Sequence, residues 1–451
     1  MDLRKKKVLV FGSGISGIGA TRLLEQQEAD VILYDGKETL DKKELLKKIG
    51  ENSKAQIILG ELSDDVINSL DIVVMSPGVP TDLPIVNRIR KMGVCIWGEI
   101  ELAYRIGKGD ILAITGTNGK TTTTALLGEI MKAWKKNVYV VGNIGTPYTS
   151  IVDKTTDDTV IVAEISSFQL ETVEQFCPKV SAILNITPDH LDRHHTMQAY
   201  IEAKETISKN QNREDVCVLN YEDEETRNFG NKTEATVLYF SSQRKLDRGI
   251  YLENGIITYA EDGKSVDICQ VDELKLLGVH NYENVMAAVG MALAYHVPIE
   301  IIQKSVKEFA GVEHRIEYVC EKAGVVYYND SKGTNPDAAI KAISAMKRPT
   351  YLIGGGYDKD ASYEEWIQSF GGKVRKLVLI GQTKEKIAET AKRCGFMDTI
   401  LANSLEEAVS ICAKLAKDGE AVLLSPACAS WGMFKNYEER GDKFKELVND
   451  L

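Results

Sequence analysis

The run ILAITGTNGKTTTTALL, residues 111–127, decides how the chain is read. Its first half is an apolar stretch of the kind that forms a parallel strand buried on both faces. A Gly/Thr/Asn loop follows, and Lys120-Thr121-Thr122 opens a helical pattern. A strand, a glycine turn and a helix N-terminus in that order present backbone N–H groups and a positive helix end to an anion. Gly116 and Gly119 allow backbone N–H groups to turn toward phosphate oxygens, Lys120 supplies positive charge, and the Thr121 hydroxyl suits Mg²⁺. The general phosphate-loop pattern would place a glycine at position 114, where this chain has Ile114, so the match is the shorter GTNGKT.

Working outward, apolar runs alternate with amphipathic stretches through all 451 residues. Ahead of the loop, Val8–Gly12, Val31–Asp35, Gln56–Gly60, Asp71–Ser76 and Val94–Trp97 are predicted strands of one doubly wound α/β unit. The loop's own unit continues through Val138–Gly142, Val160–Ile165, Val180–Ile186 and Val216–Asn220. Short strands between Ala235 and Val271 predict a small β excursion on it, before helix resumes at Asn281–Tyr295. A third α/β unit is predicted from Val325–Asn329, Thr350–Gly356, Lys376–Gly381, Thr399–Ala402 and Ala421–Ser425. The expectation is therefore three domains, 1–98, 99–311 and 312–451, in line with roughly 100–200 residues per domain.

Composition narrows the function. A formal charge of −11 argues against nonspecific binding to nucleic acid or to an anionic membrane. No apolar run is long enough for a membrane span, and the basic start MDLRKKK turns at once into a glycine loop, so a cytoplasmic protein is expected. The eight cysteines form no C-x-x-C pair, which suggests neither a zinc site nor a disulfide framework; they read as reduced, mostly buried thiols.

A second glycine loop, Gly12-Ser13-Gly14-Ile15-Ser16-Gly17, fits G-x-G-x-x-G, with Asp35 ending the next strand. Alone it points to a dinucleotide, and a nicotinamide-dependent dehydrogenase is one reading. Glu164 ends the strand VIVAE, and His190 lies in ILNITPDHLDRHHT just past another. Strand ends are where an open parallel sheet places ligands, and a carboxylate with an imidazole there can complete a Mg²⁺ shell around ATP. The adjacent His194 and His195 are expected on solvated surface. In the last third, NDSKGTNPDAA, GGGYDKDAS and LLSPACASWGMFKNYEERG each follow a predicted strand and suggest a further ligand site. Ser430 there suits either a carboxylate ligand or a plain helix cap.

Taken together, ITGTNGKTTTT, EISSFQLE, NITPDHLDRH, GVHNYENVMAA, HRIE, NDSKGTNP and LLSPACASWGMFKNYEERG resemble the Mur ligases, in order and over essentially the whole chain. The resemblance implies an N-terminal Rossmann-like domain for a UDP substrate, a central P-loop-type ATPase domain, and a C-terminal Rossmann-like domain for an amino acid. It implies that Gly14, Ile15, Ser16, Gly17, Asp35, Ser76, Gly78, Asn143 and His190 face the UDP substrate. ATP would be held by Gly116, Thr117, Asn118, Gly119, Lys120, Thr121 and Thr122, with Asn281, Asn284, Arg315, Asp330 and Lys332. Mg²⁺ would be ligated by Thr121 or Thr122, Glu164, His190 and Lys204, the last as a carbamate, which turns a cation into an oxygen ligand. Lys120, His190 and Lys204 are the implied catalytic set.

For the amino acid, Thr334, Lys359, Ser430 and Tyr437 are implied. The likeness is to the D-glutamate-adding branch, because the DNPR-type motif of the diamino-acid-adding members is absent. The implied partners are UDP-N-acetylmuramoyl-L-alanine and D-glutamate, acted on by a monomer. A sister ligase, a folylpolyglutamate synthetase-like ligase and a regulatory NTPase switch are the competing readings.

Overall fold

A computed structural model describes residues 2–143, 145–358 and 361–451. The chain divides into two compact units, Met1–Gln270 with Glu283–Val306, and Val271–Tyr282 with Lys307–Leu451. Its three sheets give three α/β domains, two of them within the first unit.

The first sheet contains β1 (Lys7–Phe11), β2 (Asp30–Asp35), β3 (Gln56–Leu59), β4 (Ile72–Met75) and β5 (Cys95–Gly98). All are parallel, in the order β3-β2-β1-β4-β5. Leu9 pairs with Ile32 on one side and Val73 on the other, which puts the apolar runs at the centre of the sheet. Because both faces are covered, side chains pointing either way are apolar: Val8 and Val10 enter one core, Leu9 and Phe11 another. Burying each such side chain fully contributes roughly 1.5–3 kcal/mol.

The second sheet contains β6 (Asp110–Thr115), β7 (Val138–Gly142), β8 (Val160–Glu164), β9 (Val180–Ile183), β10 (Val216–Asn220), β11 (Thr236–Ser241), β12 (Gly249–Glu253), β13 (Ile256–Glu261) and β14 (Lys264–Gln270). The order is β14-β13-β12-β11-β10-β9-β6-β8-β7. Pairing is parallel as far as β12, and antiparallel between β12, β13 and β14. The expected β excursion is thus an extension of the second sheet itself. One core cluster runs from Val8 and Val74 of the first sheet through Trp97 and Leu102 to Ala113 and Ile161 of the second, which is why both belong to one unit.

The third sheet contains β15 (Glu317–Lys322), β16 (Val325–Asn329), β17 (Thr350–Gly354), β18 (Val374–Leu379), β19 (Thr399–Leu401) and β20 (Ala421–Leu424), ordered β15-β16-β20-β17-β18-β19. All pairs are parallel except β15 with β16. The sequence reading started this sheet at Val325 and missed β15, an edge strand whose residues are only partly buried and so lack a continuous apolar run. Strand β17 stops at Gly354, two residues before its expected end, because Gly355 (φ +95°) and Gly356 (φ +157°) turn out of the sheet.

Candidate active site

The loop after β6 takes its shape from two glycines. Gly116 has φ +147° and Gly119 φ +89°, and a Cβ on Gly119 would lie 2.1 Å from the Asn284 Oδ1. Asn284, buried in the helix Val279–Ala294, therefore packs directly on the loop. Asn118 and Asn185 bond reciprocally, the Asn118 amide donating to Oδ1 (2.8 Å) and the Asn185 Nδ2 donating to the Asn118 carbonyl (3.1 Å). The Thr117 hydroxyl lies 3.1 Å from the Tyr200 hydroxyl and accepts from the Thr187 amide at 3.0 Å.

Two amines meet at one loop carbonyl. Lys120, the first residue of the helix Lys120–Trp134, donates to the Gly116 carbonyl (2.7 Å) and the Thr117 carbonyl (2.8 Å). Lys204, from the helix Met197–Glu205, reaches the same Gly116 carbonyl at 2.8 Å, with its ammonium 4.6 Å from the centre of the Tyr200 ring. Lys204 is 1% exposed. Burial, and then the charge of Lys120, bring its pKa down to about 6, so near neutral pH it is largely an uncharged amine. Thr121 is half-buried and Thr122 buried on the first turn of the same helix.

Glu164 closes β8, buried, and its carboxylate accepts from the Asn143 Nδ2 at 3.2 Å while its carbonyl accepts from the Asn143 amide at 2.8 Å. His190 sits in the left-handed region (φ +52°), half exposed, with its ring edge-on to Phe168 at 4.9 Å and its Nε2 3.6 Å from Asp189. His194 corrects an expectation. It is buried, its Nε2 2.9 Å from the Ser167 hydroxyl, between the rings of Phe168 (5.5 Å) and Tyr200 (5.2 Å). The helix Leu191–His194 ends there and His195 turns away at φ +65°, so one imidazole goes inward while the other stays exposed beside Asp82.

The first glycine loop is built differently. A Cβ on Gly17 would lie 1.8 Å from the Gly12 carbonyl, so only glycine lets the helix Ile15–Gln26 start there. Asp35 accepts from the Ser13 amide (3.0 Å) and hydroxyl (2.6 Å); burial pushes its carboxyl up, but these bonds outweigh that and hold it below its ordinary range. The Ser76 hydroxyl donates to the Gly12 carbonyl at 3.1 Å. Gly14, Ile15 and Gly78 are exposed and Ser16 half-buried, leaving the loop's outer face open. Ser76 and Pro77 also line a narrow crevice, with room for about one water, shared with Glu99, Phe168 and Gln169.

Known proteins resemble this chain over its whole length. Residues 6–98 match the Mur ligase MurD-like N-terminal domain, 114–292 the Mur ligase middle domain, and 314–428 the Mur ligase glutamate ligase domain. The UDP-N-acetylmuramoylalanine–D-glutamate ligase of Lachnoclostridium phytofermentans is 59% identical over all of this chain and 99% of its own. The chain belongs to the Mur ligase family. Ligases of the same name from Lachnospira eligens and Clostridioides difficile are 56% and 46% identical, covering all of both chains. Among solved structures, MurF of Acinetobacter baumannii (TM-score 0.63, 17% identity, 98% of this chain and 93% of that one) has a similar fold. So does the UDP-N-acetylmuramate–alanine ligase MurC of Thermotoga maritima (TM-score 0.60, 20% identity, 99% of both chains).

In the second unit of this Mur ligase, Asp330 is buried at the end of β16, accepting from the Ser425 hydroxyl (2.7 Å) and the Ile316 amide (3.2 Å). Burial lifts its carboxyl to about 7. Lys332 lies over the Tyr437 ring at 5.6 Å, Thr334 is half-buried in the same loop, Ser430 is buried after β20, and Arg315 is exposed. Asn281 is buried and donates to the Leu277 carbonyl at 2.7 Å. Lys359 lies outside the described residues. The sequence reading passed over Arg440, 1% exposed, which donates to the Ser331 hydroxyl and carbonyl and to the Cys428 carbonyl, joining the 329–336 and 423–430 loops. Its signal was one arginine among glutamates in NYEERG, indistinguishable there from a solvated helix face. Tyr200, which bonds the Thr117 hydroxyl, likewise carried no local signal, and Asn185 opens NITPDHLDRH but was not singled out within it.

Proposed function

We propose that the protein joins D-glutamate to UDP-N-acetylmuramoyl-L-alanine with hydrolysis of ATP, in the cytoplasmic stage of peptidoglycan precursor synthesis. The observation that carries the chemistry is the convergence of Lys120 and Lys204 on the carbonyl of Gly116, beside the helix end that takes phosphate. The names of the relatives support the choice of substrates. A carboxylate resists attack by an amine because it is anionic; transfer of a phosphoryl group gives an acyl phosphate with a good leaving group, and attack by the amine of D-glutamate then releases phosphate. The chain's task is to hold the triphosphate and the acid in line. The loop amides and Lys120 would bind the terminal phosphate, Asn284 would fix the loop, and Asn143 would orient the acid beside Glu164.

Among the described residues no three His, Cys, Asp or Glu side chains converge as a ready-made metal cage. Mg²⁺ keeps water and phosphate ligands and takes few from protein. Thr121 or Thr122, Glu164 and His190 supply the right donors, and Lys204 would add oxygens once CO₂ has capped its uncharged amine. Bound there, Mg²⁺ would offset the charge of the triphosphate. The family likeness assigns ATP contacts also to Arg315, Asp330 and Lys332, and contacts to D-glutamate to Thr334, Ser430, Tyr437 and Lys359. We further propose that the enzyme works as a monomer with domain limits 1–98, 99–311 and 312–451, a division supported by family matches at 6–98, 114–292 and 314–428.

The deciding assay measures ADP release with UDP-N-acetylmuramoyl-L-alanine and a panel of D- and L-amino acids. Turnover should require D-glutamate; equal rates with L-glutamate or a diamino acid would overturn the substrate assignment.

A further inference from the structure

Glu99 is the first residue of the helix Glu99–Ile106, directly after β5, and only 2% of it is exposed. One carboxyl oxygen accepts from both the amide (2.7 Å) and the hydroxyl (2.8 Å) of Thr149; the other makes no hydrogen bond among the described residues. An acidic side chain so deeply enclosed with no cation bonded to it needs a reason.

The reason lies in what Thr149 touches. It belongs to the short 3-10 turn Tyr148–Ser150, which continues the loop that begins at Asn143. The other side of that turn meets the helix Ile15–Gln26: a Cβ on Gly19 would lie 2.8 Å from the Thr149 hydroxyl and 3.1 Å from that of Ser150. The first turn of this helix is the glycine loop Gly12–Gly17. The Gly12 carbonyl is held in turn by Ser76, which lines the same crevice as Glu99. Glu99 therefore ties the turn that follows Asn143 to the helix that follows the glycine loop, because Thr149, which it holds, packs on Gly19.

We propose that Glu99 is a positioning residue for the UDP substrate, its carboxyl fixing Thr149 and thereby the spacing between the Gly12–Gly17 loop and Asn143. Burial pushes the pKa of this carboxyl up, and its part is to accept the two hydrogen bonds from Thr149. This rests on the functional reading given above.

The test compares Glu99→Gln, Glu99→Leu and Thr149→Val in the full-length enzyme, with thermal melts confirming folding and KM measured separately for the UDP substrate and for ATP. Glu99→Gln keeps shape and acceptor and should stay within about twofold of wild type. Glu99→Leu should raise KM for UDP-N-acetylmuramoyl-L-alanine about tenfold, the size expected for a lost buried hydrogen bond, and leave KM for ATP within twofold. Thr149→Val should show the same asymmetry more weakly and cover the case in which Glu99→Leu does not fold. A Gln variant as impaired as the Leu variant, equal changes in both KM values, or no change would each overturn the proposal while the functional reading stands. A wild-type enzyme that fails to turn over this substrate would overturn both.

Discussion

The two glycine loops use one backbone device for two purposes. Each ends a buried parallel strand and starts a helix, and each has a glycine at φ near or above +90°. At Gly12–Gly17 the tight contact is backbone against backbone, Gly17 on the Gly12 carbonyl, and the neighbouring side chains are neutral or acidic: Ser13, Asp35, Ser76. At Gly116–Gly119 the tight contact is with a side chain, Asn284, and two amines share a carbonyl. The glycines shape the turn in both cases; the side chains around it set its charge.

That contrast can be broken at several points. Replacing Lys120 with Ala should have the largest effect, a loss of about 10³-fold in kcat with the melting temperature nearly unchanged, because it removes charge compensation and little packing. Gly17→Ala should destabilise by about 3 kcal/mol in urea unfolding, since a backbone carbonyl cannot step aside for the new methyl. Gly119→Ala should cost less, about 1–2 kcal/mol, because its obstacle is a side-chain amide and the remaining penalty is that of left-handed backbone.

Lys204 predicts a pH signature. Its folded pKa of about 6 lies below the unfolded value near 10.5, so between these the unfolded chain holds a proton that the folded chain lacks. Stability should then rise with pH across that window, by up to about 1.4 kcal/mol per unit, and the slope should vanish in Lys204→Met when both are unfolded in CO₂-free buffer. Asp35→Asn should have the smallest effect, a rise of about threefold in KM for the UDP substrate, since Ser13 keeps an acceptor at that position.

How much could be read in advance follows from whether a feature is local. GTNGKT and G-x-G-x-x-G carry their meaning within six residues, and β1, β4, β6 and β16 announce themselves as unbroken apolar runs. Glu164 and His190 could be singled out because strand ends are privileged positions in parallel sheets. The partners that make the phosphate loop what it is, Lys204 at Gly116 and Asn284 at Gly119, are set by tertiary packing; bottom-up, each was a polar residue on a helix. His194 was misread for the same reason, since whether an imidazole faces water depends on where a one-turn helix stops. Strand β15 escaped because an antiparallel edge needs no buried stripe.

The nine-stranded sheet has a further consequence, for association. Any open sheet ends in a strand whose spare amides and carbonyls invite another chain to dock. On one rim, β14 answers this with Lys264, Ser265, Val266 and Asp267, all exposed and two of them charged, and with a break in register opposite Ile257 and Thr258. Deleting the internal β13–β14 hairpin, residues 256–270, would bare β12 instead, whose Ile250 and Tyr251 are buried. A shortened enzyme of that kind would carry a sticky border, so the antiparallel tail acts as a fender for the catalytic sheet.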